Sequence, residues 1–306
     1  MTMRSAVGAV LRATIGPERT RRLARRVDRQ PGARVEGGPT SKVPSRYRAP
    51  DPWTPAHPTT VTHYAFLAEI HERLRPRTYV EVGVRHGDSL ALSRARSIGI
   101  DPAYQIKVDL HADVQLVRST SDEFFARADA FDHLGGVPVD FAFIDGMHLS
   151  EFAYRDFIGI EPKMARAGVV ALDDMLPRNA LEAARHRETN AWAGDVYKVV
   201  EVLRRRRPDL AVVLVNTRPT GTALVFGADP DHVGVAHADD LAYFEAPDPQ
   251  DPPPGFLDRS AAVAVSTALE SPVWDLLIAE RDEPSAERRQ AILDEVRGWP
   301  TLGPVG

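Results

Sequence analysis

The chain has 306 residues, of which 43% are hydrophobic and 26% charged, a composition typical of globular proteins with one or two domains. It contains no cysteine, which excludes disulfides, thiolate metal sites and a cysteine nucleophile, and we expect a reducing, cytoplasmic location. No apolar run approaches the roughly 20 residues that a membrane span needs.

The net charge of −5 conceals a basic N-terminal arm. Residues 1–48 hold twelve basic and three acidic side chains, so the rest of the chain is strongly acidic. Such an arm indicates either an anionic partner or a solvated tail docked on the acidic remainder. Val7, Val10, Leu11 and Ile15 predict a short amphipathic helix, but recurrent arginines argue against a secretory signal. The arm is nearly free of aromatic residues, so nucleic-acid binding is not expected.

Composition divides the chain into three predicted parts. Residues 1–58 form the basic arm and a Pro/Gly-rich linker, residues 59–237 form an α/β domain, and residues 238–306 form a Pro-rich linker with a C-terminal helical appendage. The linker at 31–58 and the helices after residue 255 are candidates for a lid and for contacts between copies in a homo-oligomer.

The first element of the middle part is a predicted helix over residues 59–74, with Thr59 or Thr60 as its N-cap. Its apolar side chains recur at helical spacing, at Tyr64, Leu67, Ile70 and Leu74.

Strands and helices then alternate. Short β-rich apolar runs predict seven strands, at residues 78–82, 98–101, 114–118, 139–145, 168–174, 210–216 and 220–227. Helical patterns lie between and after them, at residues 88–97, 121–131, 149–165, 195–208, 260–270 and 285–299. This alternation predicts a doubly wound, seven-stranded, mostly parallel sheet. The turn TRPTG between the last two strands is too short for a crossover helix, so the last strand is expected to be antiparallel.

The stretch EVGVRHGDS follows the first predicted strand. Gly83 and Gly87 allow the backbone to turn sharply and to approach a ligand, although a purely structural turn would also explain them. Asp101 ends the next strand, 18 residues after Gly83, where a carboxylate can accept hydrogen bonds from ribose hydroxyls. The G-x-x-x-G spacing departs from the three-glycine dinucleotide fingerprint, so a pyrophosphate cradle is not expected.

Acidic residues end two further strands. Asp145 follows the fourth strand, and Asp173 and Asp174 follow the fifth. If these strands are parallel neighbours about 5 Å apart, the three carboxylates meet at one edge and repel each other unless a divalent cation lies between them. Alternatively, Asp174 caps a turn and Asp145 anchors the turn at Gly146.

His148 lies three residues after Asp145 and is a candidate general base, because its ordinary pKa is near neutrality. A capping or supporting histidine is the alternative. His86 is less well placed, His63 is interpreted as structural, and Asp195 reads equally well as a helix N-cap.

From residue 78 to residue 227 the chain resembles the class I S-adenosylmethionine-dependent methyltransferases, and among them the metal-dependent small-molecule O-methyltransferases. The resemblance rests on five segments in order: YVEVGVRHGDSLAL, GIDPAY, FAFIDGMH, GVVALDD and GDVYKVVEVL. It implies a set of cofactor-binding residues: Glu81, Gly83, Gly87 and Ser89 near the methionine part, Asp101 at the ribose, Ser121 and Asp122 near the adenine, and Asp145 beside them.

The resemblance also implies that Asp145, Asp173 and Asp174 bind Mg²⁺. Many relatives have a second aspartate where this chain has Met147, and that aspartate acts as the base in some of them. Methionine cannot take a proton, so the role of base passes to His148, with Asp145 as the other catalytic residue.

The expected function is therefore S-adenosylmethionine-dependent O-methylation of a hydroxylated small molecule, either a sugar or a secondary metabolite, assisted by Mg²⁺. The alternatives are a metal-independent methyltransferase of the same fold and a non-catalytic module that binds the cofactor or a glycan.

Overall fold

The structure, a computed structural model, describes residues 56–232, 234, 236–246 and 251–304. The basic arm, its predicted amphipathic helix and nearly all of the linker at 31–58 lie outside these residues. Among the described residues, none of the helices combines the length and apolarity that crossing a membrane requires.

The described residues form one seven-stranded sheet. Its strands are β1 (Thr78–Val82), β2 (Arg96–Ile100), β3 (Val114–Val117), β4 (Val139–Ile144), β5 (Met164–Leu172), β6 (Ala211–Val215) and β7 (Thr222–Phe226). Their order is β3-β2-β1-β4-β5-β7-β6, with β1 to β5 parallel and β7 antiparallel to both of its neighbours. The predicted fold class is confirmed, including the antiparallel last strand.

The strands are apolar along their length because both faces of the sheet are covered. All six residues of β4 are buried, and alternate side chains enter two separate clusters. Ala142 and Val170 pack on one side, while Phe141 and Val169 pack on the other. The core therefore fixes the register of β4 against β5, and with it the positions of the residues after both strands.

Nine α-helices occur among the described residues. They are α1 (His63–Leu74), α2 (Ser121–Phe125), α3 (Ser150–Ile160), α4 (Lys198–Arg206), α5 (Ala238–Phe244), α6 (Pro254–Leu257), α7 (Val265–Glu270), α8 (Val273–Asp282) and α9 (Ala286–Arg297). The predicted N-cap of α1 was wrong. The cap is Thr62, whose hydroxyl accepts a hydrogen bond from the backbone N–H of Ala65 at 3.2 Å.

The helix predicted over residues 88–97 was also wrong. Only a short 3₁₀ turn, Leu90–Leu92, forms there. The hydroxyl of Ser93 accepts a hydrogen bond from the N–H of Ala95 at 3.1 Å, which competes with helix continuation. β2 then begins at Arg96, two residues earlier than predicted, and leaves no room for a helix.

The C-terminal helices pack against the sheet. Helix α8 contacts β5 and α1, and the Trp274 ring lies 6.3 Å from the Phe226 ring between centroids. Trp299, just after α9, meets the same phenylalanine at 5.9 Å. Helix α8 was missed in the sequence, and the three-part division of the chain remains a prediction.

Candidate active site

The carboxyl ends of β1, β4 and β5 bring the predicted acids to one edge of the sheet. The N–H of Asp145 donates to the carbonyl of Val82 at 2.8 Å, and the N–H of Asp173 donates to the carbonyl of Ile144 at 3.1 Å. These bonds continue the parallel ladders one residue beyond the strands. The expectation that the fourth and fifth strands are parallel neighbours is confirmed.

Gly83 lies directly beneath the Asp145 backbone. Its φ is +94°, and a Cβ built on it would lie 1.8 Å from the carbonyl oxygen of Asp145. Only glycine fits this approach. The turn after β1 and the turn after β4 are therefore packed backbone to backbone.

Asp145, His148 and Asp174 form a tight polar cluster above this turn. The Nε2 atom of His148 is 3.7 Å from Oδ1 of Asp145, and its Nδ1 atom is 3.1 Å from Oδ2 of Asp174. One ligand atom from each residue lies within 4.8 Å of the others. The side chains of Asp145 and His148 are each 29% exposed and that of Asp174 is 13% exposed, so solutes can reach the cluster.

Asp173 had been predicted to share a cation site with Asp145 and Asp174, but its side chain lies against His63. Its Oδ2 atom is 3.7 Å from Nδ1 of His63, and Thr222 donates to its Oδ1 atom at 3.4 Å. His63 reaches this position because its N–H donates to the carbonyl of Arg218 at 2.9 Å, which joins the start of α1 to the turn between β6 and β7. Nothing in the local sequence indicates that His63 lies here, because Arg218, which positions it, is 155 residues away in the chain.

Burial raises the pKa of all three carboxyl groups, and neighbouring carboxylates add to the shifts. Burial, with Asp173 and Asp174 adding to it, raises the pKa of Asp145 well above its usual range. Burial, followed by the charge of Asp174, raises the pKa of Asp173 to about 6, and burial raises the pKa of Asp174 to about 7. Thr220 opposes the last of these shifts by donating to Asp174 at 2.5 Å.

The donor chemistry of this edge fits a divalent cation. Burial is the main cause of the raised pKa of both Asp145 and Asp174, and a positive charge between them would favour their ionised forms. Each of the two residues offers a carboxylate oxygen to the cluster. The third donor within reach is the imidazole of His148, whereas Asp173 lies against His63.

The His148 ring is held by the loop before α4. Its Nδ1 atom is 2.7 Å from the carbonyl oxygen of Trp192, and the ring stacks on the indole at 5.3 Å between centroids with 18° between the planes. Burial lowers the pKa of His148, so the neutral imidazole is favoured. The contact between Trp192 and His148 was not predicted from the sequence.

Glu81 is fully buried at the end of β1. Ser89 and Tyr79 each donate a hydroxyl hydrogen bond to its carboxyl group at 2.7 Å. Burial raises its pKa to about 7 in spite of these two bonds. Ser89 and Glu81 therefore form one polar unit in the predicted methionine region.

Asp101 shapes the loop that follows β1. Its Oδ2 atom accepts a hydrogen bond from the N–H of Arg85 at 2.8 Å, and its Oδ1 atom accepts one from the N–H of Ala103 at 2.6 Å. Each carboxylate oxygen has further acceptor capacity, so these bonds leave room for ribose hydroxyls.

Asp122 and Ser121 both have protein partners in the predicted adenine region. Asp122 forms a two-bond ion pair with Arg155, at 3.0 and 2.8 Å. Ser121 hydrogen bonds to Asp156, a buried residue of α3 that was not singled out in the sequence. Burial raises the pKa of Asp156 to about 7.

Asp195 does not cap the helix that follows it. Its Oδ1 atom accepts hydrogen bonds from the N–H and the hydroxyl of Ser150 at 3.0 and 3.1 Å, so it satisfies the start of α3 instead. Its other oxygen pairs with Arg185 at 2.7 Å and with Lys198 at 3.0 Å. This residue fixes the loop around the site and lies 2% exposed.

Comparison with known proteins agrees with this arrangement. Residues 80–175 match the model of a family described as a methyltransferase domain. The matched segment runs from β1 to just beyond Asp174, and the seven-stranded sheet around it has the predicted form. Residues 80–175 thus match a methyltransferase domain, in agreement with the resemblance that the sequence had indicated.

Several solved structures resemble part of the chain. The O-methyltransferase TomG from Streptomyces achromogenes, in complex with SAM, is 18% identical over 54% of this chain and 79% of its own, with a TM-score of 0.41. An SAH-bound methyltransferase from Podospora anserina, PaMTH1, is 12% identical over 54% and 78%, with a TM-score of 0.41. MycE of the mycinamycin pathway, in complex with Mg and SAH, is 17% identical over 57% and 51%, with a TM-score of 0.38. No curated protein matches the chain.

Proposed function

We propose that this protein is an O-methyltransferase that transfers the methyl group of S-adenosylmethionine to a hydroxyl of a small molecule, either a sugar or a secondary metabolite. The observation that carries the proposal is the exposed Asp145/His148/Asp174 cluster, which stands beside the Gly83 turn at the carboxyl edge of the sheet. In open α/β sheets this edge is where ligands bind.

The cofactor would lie along the ends of β1 and β2. Glu81 and Ser89, with the turns at Gly83 and Gly87, would line its methionine part. Asp101 would accept hydrogen bonds from the ribose, and Ser121 and Asp122 would flank the adenine. The packing of Gly83 on the Asp145 backbone supports this proposal, because the methyl donor and the acceptor would then bind on adjacent sides of one contact.

The acceptor oxygen would be held at the Asp145/His148/Asp174 cluster. Asp145 and Asp174 would hold a divalent cation, with Asp173 as a third donor, and such a cation would lower the pKa of a hydroxyl that it binds. His148 would take the hydroxyl proton, and Asp145 would orient the oxygen toward the sulfonium methyl. Alignment of these groups would supply much of the rate.

Titration calorimetry with S-adenosylhomocysteine tests the cofactor part of the proposal. We expect saturable heat with the full-length protein. A screen of sugars and hydroxylated metabolites with a labelled methyl donor then identifies the acceptor. The absence of binding heat under all conditions would contradict the methyltransferase proposal, and binding without transfer to any acceptor would favour a non-catalytic module.

Chelation tests the cation. We expect EDTA to abolish methyl transfer and Mg²⁺ to restore it, whereas a metal-independent enzyme would keep its activity. Asp145→Asn should lose at least about a hundredfold in turnover, since it removes a charged ligand and an orienting group at once. Asp129→Asn changes an exposed carboxylate far from the edge and serves as the control.

A further inference from the structure

The loop between β5 and α4 contains the partner that fixes His148. Its backbone folds back on itself, because the carbonyl of Glu182 accepts hydrogen bonds from the N–H groups of Ala193 and Gly194 at 3.0 and 3.1 Å. The indole N–H of Trp192 donates to the carbonyl of Ala184 at 2.6 Å. Trp192 is therefore anchored within the loop through its side chain and through the backbone on its C-terminal side.

The protonation pattern of the His148 ring follows from its neighbours. Nδ1 is 2.7 Å from the Trp192 carbonyl oxygen and 3.1 Å from Oδ2 of Asp174. A carbonyl oxygen can only accept a hydrogen bond, so Nδ1 must carry the proton. In the neutral ring this leaves the lone pair on Nε2.

The Nε2 lone pair lies on the side of Asp145. Nε2 and Oδ1 of Asp145 are 3.7 Å apart, which is too far for a direct hydrogen bond. A donor oxygen about 2.8 Å from Nε2 would lie on this side of the ring, near Asp145. The gap therefore suits a hydroxyl that donates its proton to Nε2.

Two contacts of the loop keep this geometry in place. The indole of Trp192 stacks on the His148 ring at 5.3 Å between centroids, which limits rotation of the ring. Gly194 has a φ of +66°, and a Cβ built on it would lie 1.8 Å from the carbonyl oxygen of His148. The loop thus contacts both the backbone and the ring of the histidine.

We propose that Trp192 is a positioning residue, whose carbonyl and indole hold His148 with the proton on Nδ1 and so make Nε2 the atom that receives the acceptor's proton. This inference rests on the proposed function only in that it takes the methyl acceptor as the source of the proton. The state of the ring itself can be measured without any substrate.

Nitrogen NMR of protein labelled in its histidine rings reads this state directly, with His148→Gln identifying the signals. At neutral pH we expect a protonated Nδ1 and an unprotonated Nε2 for His148. Trp192→Ala keeps the backbone carbonyl but loses the stacked ring and the indole bond to Ala184 that hold that carbonyl in place, so the two nitrogen shifts should move toward the average of the two tautomers. In Gly194→Ala they should move likewise because the loop is displaced. Trp192→Phe keeps a stacking ring and should stay close to the wild-type protein.

Trp274→Phe is the matched control, because the Trp274 indole also donates to a backbone carbonyl, that of Ala268 at 2.9 Å, but away from the site. It should leave the His148 signals unchanged. A proton on Nε2 in the wild-type protein would overturn the proposal, as would unchanged His148 shifts in a folded Trp192→Ala protein. If Trp192→Ala does not fold, Trp192→Phe and Gly194→Ala still decide: unchanged shifts in Gly194→Ala overturn the proposal.

The same proteins separate this inference from the proposed function. Failure to bind S-adenosylhomocysteine would remove the methyltransferase proposal while leaving the tautomer measurement intact. Once an acceptor is known, Trp192→Ala should lower kcat at least about tenfold with little change in KM, and Trp192→Phe should recover most of the loss. Equal loss in both parameters would indicate a merely structural role.

Discussion

Gly83 determines how closely two halves of the site can approach. Its missing side chain lets the turn after β1 lie against the backbone of Asp145, so the proposed cofactor side and the proposed acceptor side share one contact. The pattern of an acid and two glycines after the first strand was visible in the sequence. The partner of Gly83 was not, because it depends on β1 and β4 being neighbours.

We therefore expect Gly83→Ala to destabilise the protein by roughly 3 kcal/mol or more and to remove binding of S-adenosylhomocysteine, since the added carbon collides with backbone that cannot move aside. Gly136→Ala is the matched control. Gly136 also has a positive φ, of +79°, but nothing lies within 4 Å of its added Cβ, so the cost should be only roughly 1 kcal/mol. Thermal unfolding of both variants measures the difference.

His71 makes a residue-scale prediction about pH. Its ring lies edge-on to Tyr79 and Phe141, at 4.8 and 5.0 Å between centroids, and neither ring nitrogen has a hydrogen-bond partner. Burial lowers its pKa to about 4. The unfolded chain binds a proton at its usual value near 6.5, so the free energy of unfolding is at its full value above about pH 6.5 and falls as the pH drops toward 4.

His71→Phe removes this proton uptake. Urea unfolding between pH 7 and pH 4 should show that the free energy of unfolding of the wild-type protein falls by roughly 3 kcal/mol more than that of the variant. His111→Phe alters an exposed histidine and should keep the wild-type slope. Parallel pH profiles for wild-type and His71→Phe proteins would contradict the assignment.

At the scale of elements, the loop before α4 is joined to α3 by a buried network of charges. Arg185 pairs with Glu151 at 2.8 Å and with Asp195 at 2.7 Å, and Lys198 pairs with Asp195 at 3.0 Å. Since Asp195 also satisfies the first N–H of α3, one carboxylate connects the helix after β4 with the helix after β5. These two helices follow the two strands that end in the acids of the site.

Asp195→Ala should cost roughly 3–5 kcal/mol, because it leaves two buried cations short of a counter-charge. Asp231→Ala breaks an ion pair with Arg166 in which the side chain of Asp231 is 82% exposed. It should lower the free energy of unfolding by no more than about 1 kcal/mol. Chemical denaturation of the two variants gives the comparison. A loss below about 1 kcal/mol for Asp195→Ala would show that the network is not what holds the loop.

The elements differ in how far they could be predicted. The seven strands were found because strands buried on both faces read as unbroken apolar runs. The helix at 88–97 was wrong because serine side chains there bond to the local backbone, an effect that apolar spacing does not reveal. Helix α8 was missed although Pro272 precedes it and Val273, Trp274 and Leu277 are buried at helical spacing.

The residues of the candidate site also differ in how far they could be predicted from the sequence. Asp145, Asp173 and Asp174 were brought together by the rule that the carboxyl ends of parallel strands share an edge. His63 lies on a helix positioned by Arg218, 155 residues away, and Trp192 lies on a loop that folds back on Glu182 and contacts His148, 44 residues earlier. Local sequence carries no record of those contacts, so the final partners of Asp173 and His148 could not be predicted.

At the scale of the whole molecule, the C-terminal helices complete the core of the sheet. Trp274, Leu277 and Val296 share one apolar cluster with Phe143 and Phe226. A covered sheet face of this kind cannot lose its helices without exposing the strands. The segment after residue 255 therefore serves stability, whatever its part in contacts between copies.

Trp274→Ala should lower the free energy of unfolding by roughly 3–5 kcal/mol, as expected for removing a large aromatic side chain from a core. The loss should appear in a single transition, with fluorescence and far-ultraviolet circular dichroism giving the same midpoint. Two separate transitions would show instead that the C-terminal helices fold as an independent unit.

The position of β7 has a consequence for the order in which this protein can be made. β7 is the last strand along the chain, yet it inserts between β5 and β6. During synthesis, the outer edge of β5 has no strand beside it until the ribosome has passed Phe226, and the turn that receives His63 is completed only a few residues earlier. An unpaired apolar edge is a template for aggregation. The nascent chain therefore carries an unpaired apolar strand edge next to the incomplete candidate site, and we expect a chain released before Phe226 to lack the complete site and to be prone to self-association.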